Sequence, residues 1–371
     1  MILLWIVIPL FLLYSILIIY YWQSWVSVPE YISSTEPSRC TISVIIPARN
    51  EETNIGALLY ALQQQTYPKE FFEIIVVDDH STDRTAETVK QFDGVKLLPL
   101  TGDVSNSYKK KAIEAGVATA TGELIVATDA DCIPPANWLR TIASFKEKNN
   151  SVFIAAPVTI HCDSSIVQVF QALDFMVLQG TTGAVVAKGK MNMCNGANLA
   201  YERKAFYEVN GFEGIDHIAS GDDMLMMHKI WKKYSARVHY LKSKDAIVST
   251  QPVTSWRNFF NQRIRWASKA RLYDDKRILP VLLLVYFFNF SFFVLSIAGF
   301  WNYRYWIAAV LLWLLKTIAE LPFFVSLTKY FDKQWAVKWF FLFQPLHIFY
   351  TVISGLFGQI GRYEWKGRRV K

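Results

Sequence analysis

The chain has 371 residues, 52% of them hydrophobic and 15% aromatic, and a net charge of +8; its mean hydropathy is +0.19. That is too apolar for an ordinary soluble enzyme and too polar for a protein made only of membrane spans. The apolar residues gather at the two ends, which describes a polar domain fastened to a bilayer. The positive charge lies beside the C-terminal apolar block, at Arg257, Arg263, Arg265, Lys269, Arg271, Lys276 and Arg277, and again from Arg362 to Lys371. It is read as the cytoplasmic flank of membrane spans rather than as a nucleic-acid footprint, so no nucleic-acid partner is expected. Cys40, Cys132, Cys162 and Cys194 lack C-x-x-C spacing and fit free thiols in a reducing compartment.

In chain order, residues 2–22 are almost wholly apolar and long enough to span a hydrocarbon core. No Lys or Arg precedes Arg39 and no small-residue cleavage site follows. Residues 1–24 therefore read as an uncleaved anchor with its N-terminus outside. A polar linker containing Pro29 and Pro37 covers 25–40.

Thr41 to Pro47 is β-branched and bounded by proline, which predicts a strand. It runs into the loop Ala48-Arg49-Asn50-Glu51-Glu52. A helix follows, with Ile55, Leu58, Leu59 and Leu62 at helical spacing. A second strand, Phe72 to Val77, ends in Asp78-Asp79-His80-Ser81-Thr82-Asp83, where Thr82 or Asp83 can cap a helix that starts near Thr85. A third strand covers Val95 to Leu100, a helix covers Lys109 to Ala120, and a strand over 122–127 ends in Thr128-Asp129-Ala130-Asp131. Strands alternating with helices imply parallel βα units. In such sheets ligands bind beyond the carboxyl ends of the strands. Asp129 and Asp131 are two apart in an extended segment and point the same way. Paired carboxylates suit Mg²⁺ or Mn²⁺ carrying a phosphate-bearing substrate, although a solvated turn has the same letters. The convergence of this loop with those of Glu51 and Asp79 favours the ligand site.

These segments, Val44 to Glu52, Val77 to Asp83 and Thr128 to Asp131, are followed by Cys194-Asn-Gly-Ala-Asn-Leu-Ala-Tyr201, Ser220-Gly-Asp-Asp223 and Gln262-Arg-Ile-Arg-Trp266. As an ordered set they resemble the family 2 glycosyltransferases of GT-A fold. The last motif is similar to the Q-x-x-R-W signature of the membrane-embedded branch, which includes cellulose and hyaluronan synthases, ceramide glucosyltransferase and carotenoid glycosyltransferases. The resemblance implies an α/β, Rossmann-like nucleotide-sugar-binding domain over 41–252 with transmembrane helices on either side. It implies that Asp79 hydrogen-bonds uracil and that Pro47, Ala48, Asn50 and Glu51 line the nucleotide pocket. Asp129 would hold the ribose or assist the metal, and Asp131 would ligate it. Lys110, with Lys111, stands where some relatives place a cation near the phosphates; a solvated helix face is the open alternative. His80 stands where many members have glycine, which changes the turn but not the acids.

Residues 151–160 begin the acceptor half. His161 beside Cys162 lacks further ligands and reads as structural. Ile166 to Leu178 predicts an apolar helix, packed or lipid-facing. Asn195 to Asn198 offers amides, with Asn198 assigned to the acceptor or diphosphate, though a plain turn has the same letters. An inverting transfer needs a carboxylate to take the acceptor hydroxyl's proton; by the resemblance this is Asp223, with Asp222 beside it. Both also suit the N-terminus of a helix from Met224. The basic, aromatic segment 253–277 predicts an interfacial amphipathic helix that turns Gln262, Arg263, Arg265 and Trp266 to the site from the membrane side. The resemblance assigns Gln262, Arg265 and Trp266 there to the acceptor or diphosphate, against the plainer reading of a lipid anchor.

Three apolar blocks, Leu279–Phe300, Tyr305–Leu327 and Trp335–Leu356, lie within 278–358 and are each about long enough to span. Lys316 and Glu320 share a helical face and can pair. The basic tail, 359–371, is expected in the cytosol, which with three full spans requires one block to be re-entrant or interfacial. The whole reads as a multi-pass protein of the cell (inner, cytoplasmic) membrane with a cytosolic catalytic domain. The expected reaction is inverting and metal-dependent, from a UDP-sugar to a hydroxyl of a lipid or lipid-linked acceptor. The alternative is a processive polysaccharide synthase extending a glycan, against which stands the small membrane part.

Overall fold

The computed structural model describes residues 3–33, 38–101, 108–163, 165–190, 193–218, 221–268, 278–360, 363–365 and 368–370. In chain order its main elements are α1 (Leu4–Ser27), β1 (Ile42–Ala48), α2 (Ile55–Gln63), β2 (Phe72–Asp78), α3 (Thr85–Val89), β3 (Val95–Pro99), α4 (Tyr108–Thr119), β4 (Leu124–Ala127), β5 (Cys132–Ile133) and α5 (Trp138–Asn149). There follow β6 (Phe153–Ala155), β7 (Val158–Ile160), α6 (Ile166–Val186), β8 (Leu199–Glu202), α7 (Arg203–Glu208), α8 (Asp222–Tyr234), β9 (Val238–Tyr240), β10 (Val248–Thr250), α9 (Trp256–Ser268), α10 (Ile278–Ala298), α11 (Arg304–Tyr330), α12 (Val337–Ile360), β11 (Tyr363–Trp365) and β12 (Arg368–Val370). They form two compact units, one of residues 28–161 and 185–251, the other of residues 1–27, 162–184 and 252–371. The expected domain over 41–252 is thus interrupted: residues 162–184 belong to the second unit, and 28–33 of the expected linker belong to the first.

The first unit is built on a seven-stranded sheet of order β3-β2-β1-β4-β8-β6-β9. β1 runs parallel to both neighbours, β2 and β4, and β2 runs parallel to β3. β8 is antiparallel to β4 and β6. A central parallel strand is covered on both faces, which is why β1 is a near-continuous β-branched run; Val44, Ile45 and Ile46 are fully buried. Ala48 pairs with Asp78 and Ile45 with Ala127. The carboxyl ends of β1, β2 and β4 therefore lie side by side, and the three acid-bearing loops leave the sheet at one edge. A small sheet, β5-β10-β7, adjoins the end of the β4 loop. The chain after α1 is tied in by Tyr31 N donating to Lys242 O at 2.7 Å and Lys242 Nζ donating to Val28 O at 2.9 Å.

The second unit is helical. Among the described residues five helices, α1, α6, α10, α11 and the stretch Gln334–Gln359 that contains α12, are long and apolar enough to cross a membrane. α1, α10, α11 and α12 expose large apolar side chains such as Leu12, Ile16, Leu283, Leu311 and Phe357. α6 differs: it is mostly buried, and the chain on either side of it belongs to the first unit, so it is a packed helix rather than a crossing. It continues to Val186, past the expected end at Leu178, and Gly180 makes room for Leu327, whose Cδ2 a Cβ would meet at 2.3 Å. α10, α11 and α12 are each continuous, at 21, 27 and 24 residues. The expected pair is present, with Lys316 Nζ 2.7 Å from Glu320 Oε1. Gln344 bridges it, accepting from Lys316 at 2.6 Å and donating to Glu320 at 2.5 Å, and Tyr14 OH donates to Glu320. α9 has 13 residues; residues 269–277 of the expected amphipathic segment lie outside the described residues.

Candidate active site

The ends of β1 and β2 are stitched together. Asp79 N donates to Ala48 O at 2.8 Å, and Arg49 Nη1 donates to Asp79 O at 2.7 Å. Asp79 is only 4% exposed, and His80 Nδ1 lies 3.1 Å from its Oδ1. Asn50 N donates to Ser81 Oγ at 3.0 Å, and Asn50 Oδ1 accepts from Thr82 N at 2.8 Å. Glu51 N donates to Thr85 Oγ1 at 2.8 Å. His80 adopts φ +54°, the left-handed region that glycine enters without a Cβ penalty. Asp83 accepts from Thr85 N at 3.0 Å and Thr85 Oγ1 at 2.5 Å. Burial disfavours its charge, but these donors outweigh burial and hold its carboxyl below the usual range. Pro47, Ala48, Asn50, Glu51 and Asp79 are thereby gathered at one sheet edge.

The second part of the site lies at the end of β4. Thr128 Oγ1 donates to Ala197 O at 2.9 Å, which ties the Asp129 loop to the segment before β8. Lys109, in the first turn of α4, places its Nζ 2.5 Å from Asp129 Oδ1 and 3.3 Å from Asp222 Oδ2. Burial alone would lower its pKa, but Asp129 and Asp222 more than offset that and raise it above the ordinary lysine range. Asp222 and Asp223 open α8 after Gly221, which has φ +80°. Gly196 N donates to Asp223 Oδ2 at 3.1 Å, and Met224 N donates to Asp223 Oδ1 at 2.7 Å. A Cβ at Gly196 would meet Lys109 Nζ at 2.9 Å and Asp222 Oδ2 at 3.3 Å, so a side chain there would press on the ammonium between the acids. One ammonium and three carboxylates, from α4, the β4 loop and the start of α8, are thus brought together. Cys132 Sγ lies 3.6 Å from Asp131 Oδ1; burial first, and then the charges of Asp131 and Asp129, keep this thiol protonated.

Among the described residues no three His, Cys, Asp or Glu side chains form a group able to hold a metal ion. Asp129 and Asp131 are hard oxygen donors. Mg²⁺ and Mn²⁺ in phosphate chemistry take one or two carboxylates and complete the shell with phosphate oxygens and water. The donor set fits a divalent ion that arrives with a diphosphate, not one caged by the protein alone.

Two residues expected at the site are otherwise engaged. Lys110 is 1% exposed, and its ammonium donates to Ile215 O at 2.9 Å and to Ile218 O. The lysine facing the acids is its neighbour Lys109, which the sequence reading passed over. Asn198 is 0% exposed. Its Nδ2 donates to Pro157 O and Ala246 O, both at 2.7 Å, and its Oδ1 accepts from Trp138 Nε1 at 3.0 Å. Its amide ties the loop before β7 to the turn before β10 and to α5, and both of its N–H donors are used.

Gln262, Arg265 and Trp266 lie on α9 in the second unit. Gln262 Oε1 accepts from Gln171 Nε2 at 3.2 Å and from Arg263 Nη1 at 3.0 Å. Ser268 Oγ donates to Arg265 O at 2.8 Å. Trp266 packs against Phe175 at 6.0 Å between ring centroids.

Residues 43–209 match the family model described as Glycosyl transferase family 2. The Bacillus subtilis (strain 168) protein named "Probable glycosyltransferase YdaM" is 27% identical over 269 residues, 68% of this chain and 62% of that protein. Escherichia coli WfgD, named UDP-Glc:alpha-D-GlcNAc-diphosphoundecaprenol beta-1,3-glucosyltransferase, is 34% identical over 134 residues, 35% of this chain and 51% of that protein. The matches thus span less than two thirds of either relative. Among solved structures, the mannosyltransferase PcManGT from Pyrobaculum calidifontis, in complex with GDP-Man and Mn²⁺, superposes with a TM-score of 0.61 over 95% of this chain and 99% of that one, at 21% identity.

Proposed function

We infer that this chain, an enzyme built on a family 2 glycosyltransferase domain of GT-A fold, moves a sugar from a nucleoside diphosphate donor, with inversion, to a hydroxyl of a lipid-linked acceptor. The observation that carries this reading is the Lys109 ammonium set 2.5 Å from Asp129 and 3.3 Å from Asp222. It joins the acid that ends β4 to the acids that open α8, the two centres that a donor and a base require.

Asp223 is the proposed base. The acceptor oxygen attacks the anomeric carbon while its proton passes to the Asp223 carboxylate. The bond from the anomeric carbon to the phosphate oxygen breaks, and its electron pair leaves with the nucleoside diphosphate. The Gly196 and Met224 amides hold the two Asp223 oxygens and so fix the direction in which the base points. Lys109 keeps its proton and serves as a preorganised cation for the charge that develops on the leaving group. Mg²⁺ or Mn²⁺ held by Asp131 and Asp129 would supply further neutralisation of the diphosphate; the Mn²⁺ of PcManGT supports a divalent ion.

Asp79, Pro47, Ala48, Asn50 and Glu51 are assigned to the nucleotide. Uridine is favoured by the motif resemblance and by the UDP-Glc of WfgD; the GDP-Man of PcManGT makes guanosine the comparison. The diphosphoundecaprenol acceptor of WfgD and the long apolar helices support an acceptor presented by a membrane, with the catalytic unit on its cytosolic side. Gln262, Arg265 and Trp266 are assigned to the acceptor on the Q-x-x-R-W resemblance. The same motif supports the second reading, a processive polysaccharide synthase. Purified protein in native membrane lipid, given UDP- and GDP-sugars with and without Mn²⁺, tests both. A lipid extract carrying one added sugar supports single transfer, and a ladder of products supports the synthase.

A further inference from the structure

Arg263 is expected to face the site together with Gln262, Arg265 and Trp266, but its side chain is 4% exposed and is paired with a buried carboxylate instead. Its Nε donates to Asp174 Oδ2 at 2.9 Å, and its Nη2 lies 2.6 Å from the same oxygen, both side chains being 4% exposed. Asp174 comes from α6, and Tyr350 of α12 donates its hydroxyl to Asp174 Oδ1. The guanidinium plane lies 4.7 Å from the ring centre of Phe259 and 4.3 Å from that of Trp266. Its Nη1 donates to Gln262 at 3.0 Å, and Gln171, also on α6, donates to the same Gln262 oxygen. One buried arginine therefore touches two of the three motif side chains on α9 and is itself fixed from two other helices.

Such a pair is a poor device for stability alone. Burying two charges costs so much desolvation that a well-packed apolar pair of similar volume is often as stable or more so. What arginine adds is direction: five donors in one rigid plane that can also stack on an aromatic ring. A carboxylate on α6, held by a tyrosine on α12, sets where that plane lies. The plane in turn sets the amide of Gln262 and the ring of Trp266.

We propose that Asp174, Arg263 and Tyr350 are positioning residues that fix the rotation of α9 and so hold Gln262 and Trp266 ready for the acceptor. The proposal rests on the assignment of those two residues to the acceptor. It predicts a defect confined to acceptor use, because none of the three is placed among the groups that bind donor or move the proton.

The test is the double variant Asp174→Leu/Arg263→Met in the full chain, which removes both charges and leaves neither unpaired. Its unfolding temperature and its acceptor-independent release of nucleoside diphosphate in detergent are expected to match the unaltered protein. The apparent KM for a native membrane-lipid extract is expected to rise about 10- to 100-fold, the scale on which a small misplacement of a reacting partner acts. Arg263→Lys, which keeps the charge but not the planar fork, is expected to show the same acceptor defect. Hydrogen exchange across α9 is expected to quicken in the double variant while α10 and α11 stay unchanged. An unaltered KM together with unaltered exchange of α9 overturns the proposal. If the unaltered protein transfers no sugar to any lipid, the acceptor assignment itself fails. The exchange measurement then decides alone: quickened exchange confined to α9 supports the positioning role, and unchanged exchange removes it.

Discussion

Lys109 and Lys110 show how much one residue of helical phase decides. Both sit in the first turn of α4, in a run of three lysines that the sequence cannot rank. A step of about 100° around the axis sends one ammonium to Asp129 and Asp222 and the other to two backbone carbonyls. Lys109→Met should lower sugar transfer by about 10²- to 10³-fold, the usual cost of losing a preorganised charge-stabilising donor. Lys110→Met should act on thermal stability instead, and steady-state kinetics beside melting curves separate the two. Asn198 makes a converse point: its motif reads as a ligand-binding amide, yet its bonds run to Pro157, Ala246 and Trp138. Asn198→Ala strands three buried polar groups at about 1–3 kcal/mol each. Its melting temperature should fall steeply while the KM for donor in the folded fraction stays unchanged. A shifted donor KM at an unaltered melting temperature would contradict this placement.

At the scale of elements, the strands that carry the site were legible because their cause is local. β1, β2 and β4 are short apolar runs that stop at acidic loops, and parallel pairing puts those stops at one edge. What fastens the strands was not legible, since it depends on side chains from distant segments. Glu73 at the start of β2 is an example. It accepts from Ser43 Oγ at 2.6 Å, Thr121 N at 2.6 Å and Lys96 Nζ at 2.6 Å. Burial works against its charge, but these donors outweigh burial and bring its pKa from 4.5 down to about 2. The unfolded chain therefore takes up this proton more readily than the folded one. The stabilisation is fully present above pH 4.5 and is lost as pH falls towards 2. Melting temperature against pH should show a steeper acid fall for the native protein than for Glu73→Gln, the two curves converging at the acid end.

The helical unit offers a comparable case. Lys316 is 0% exposed and is shared by Glu320 and Gln344. Lys316→Met alone leaves a buried carboxylate without its cation, at a cost of about 3–5 kcal/mol. Lys316→Met/Glu320→Leu should be the more stable of the two in detergent melts, and the reverse order would contradict a pair that is held mainly by mutual compensation.

For the whole molecule, composition divides the chain into a polar α/β part and apolar helices, while the compact units of the fold divide it at other residues. Residues 162–184 read as part of the catalytic domain because they lie between its strands, yet they pack with the helical unit. Their length and apolar character equal those of a span, and it is their burial and the return of the chain to the first unit that set them apart. The same return brings Asp174 to Arg263, a pairing with no sequence signal because the partners are far apart in the chain. The placement of the acids was more legible than the packing: Asp79, Asp129, Asp222 and Asp223 all stand at the strand and helix ends where their motifs put them.

The proposed transfer depends most directly on Asp223. Release of nucleoside diphosphate, measured on the purified full chain in native membrane lipid with UDP-sugars and Mn²⁺, should be measurable for the unaltered protein. It should fall by about 10²- to 10⁴-fold in Asp223→Asn, the range expected for loss of a general base, with calorimetric binding of the nucleoside diphosphate unchanged. Equal release from both proteins would contradict the assignment of Asp223 and with it the proposed mechanism.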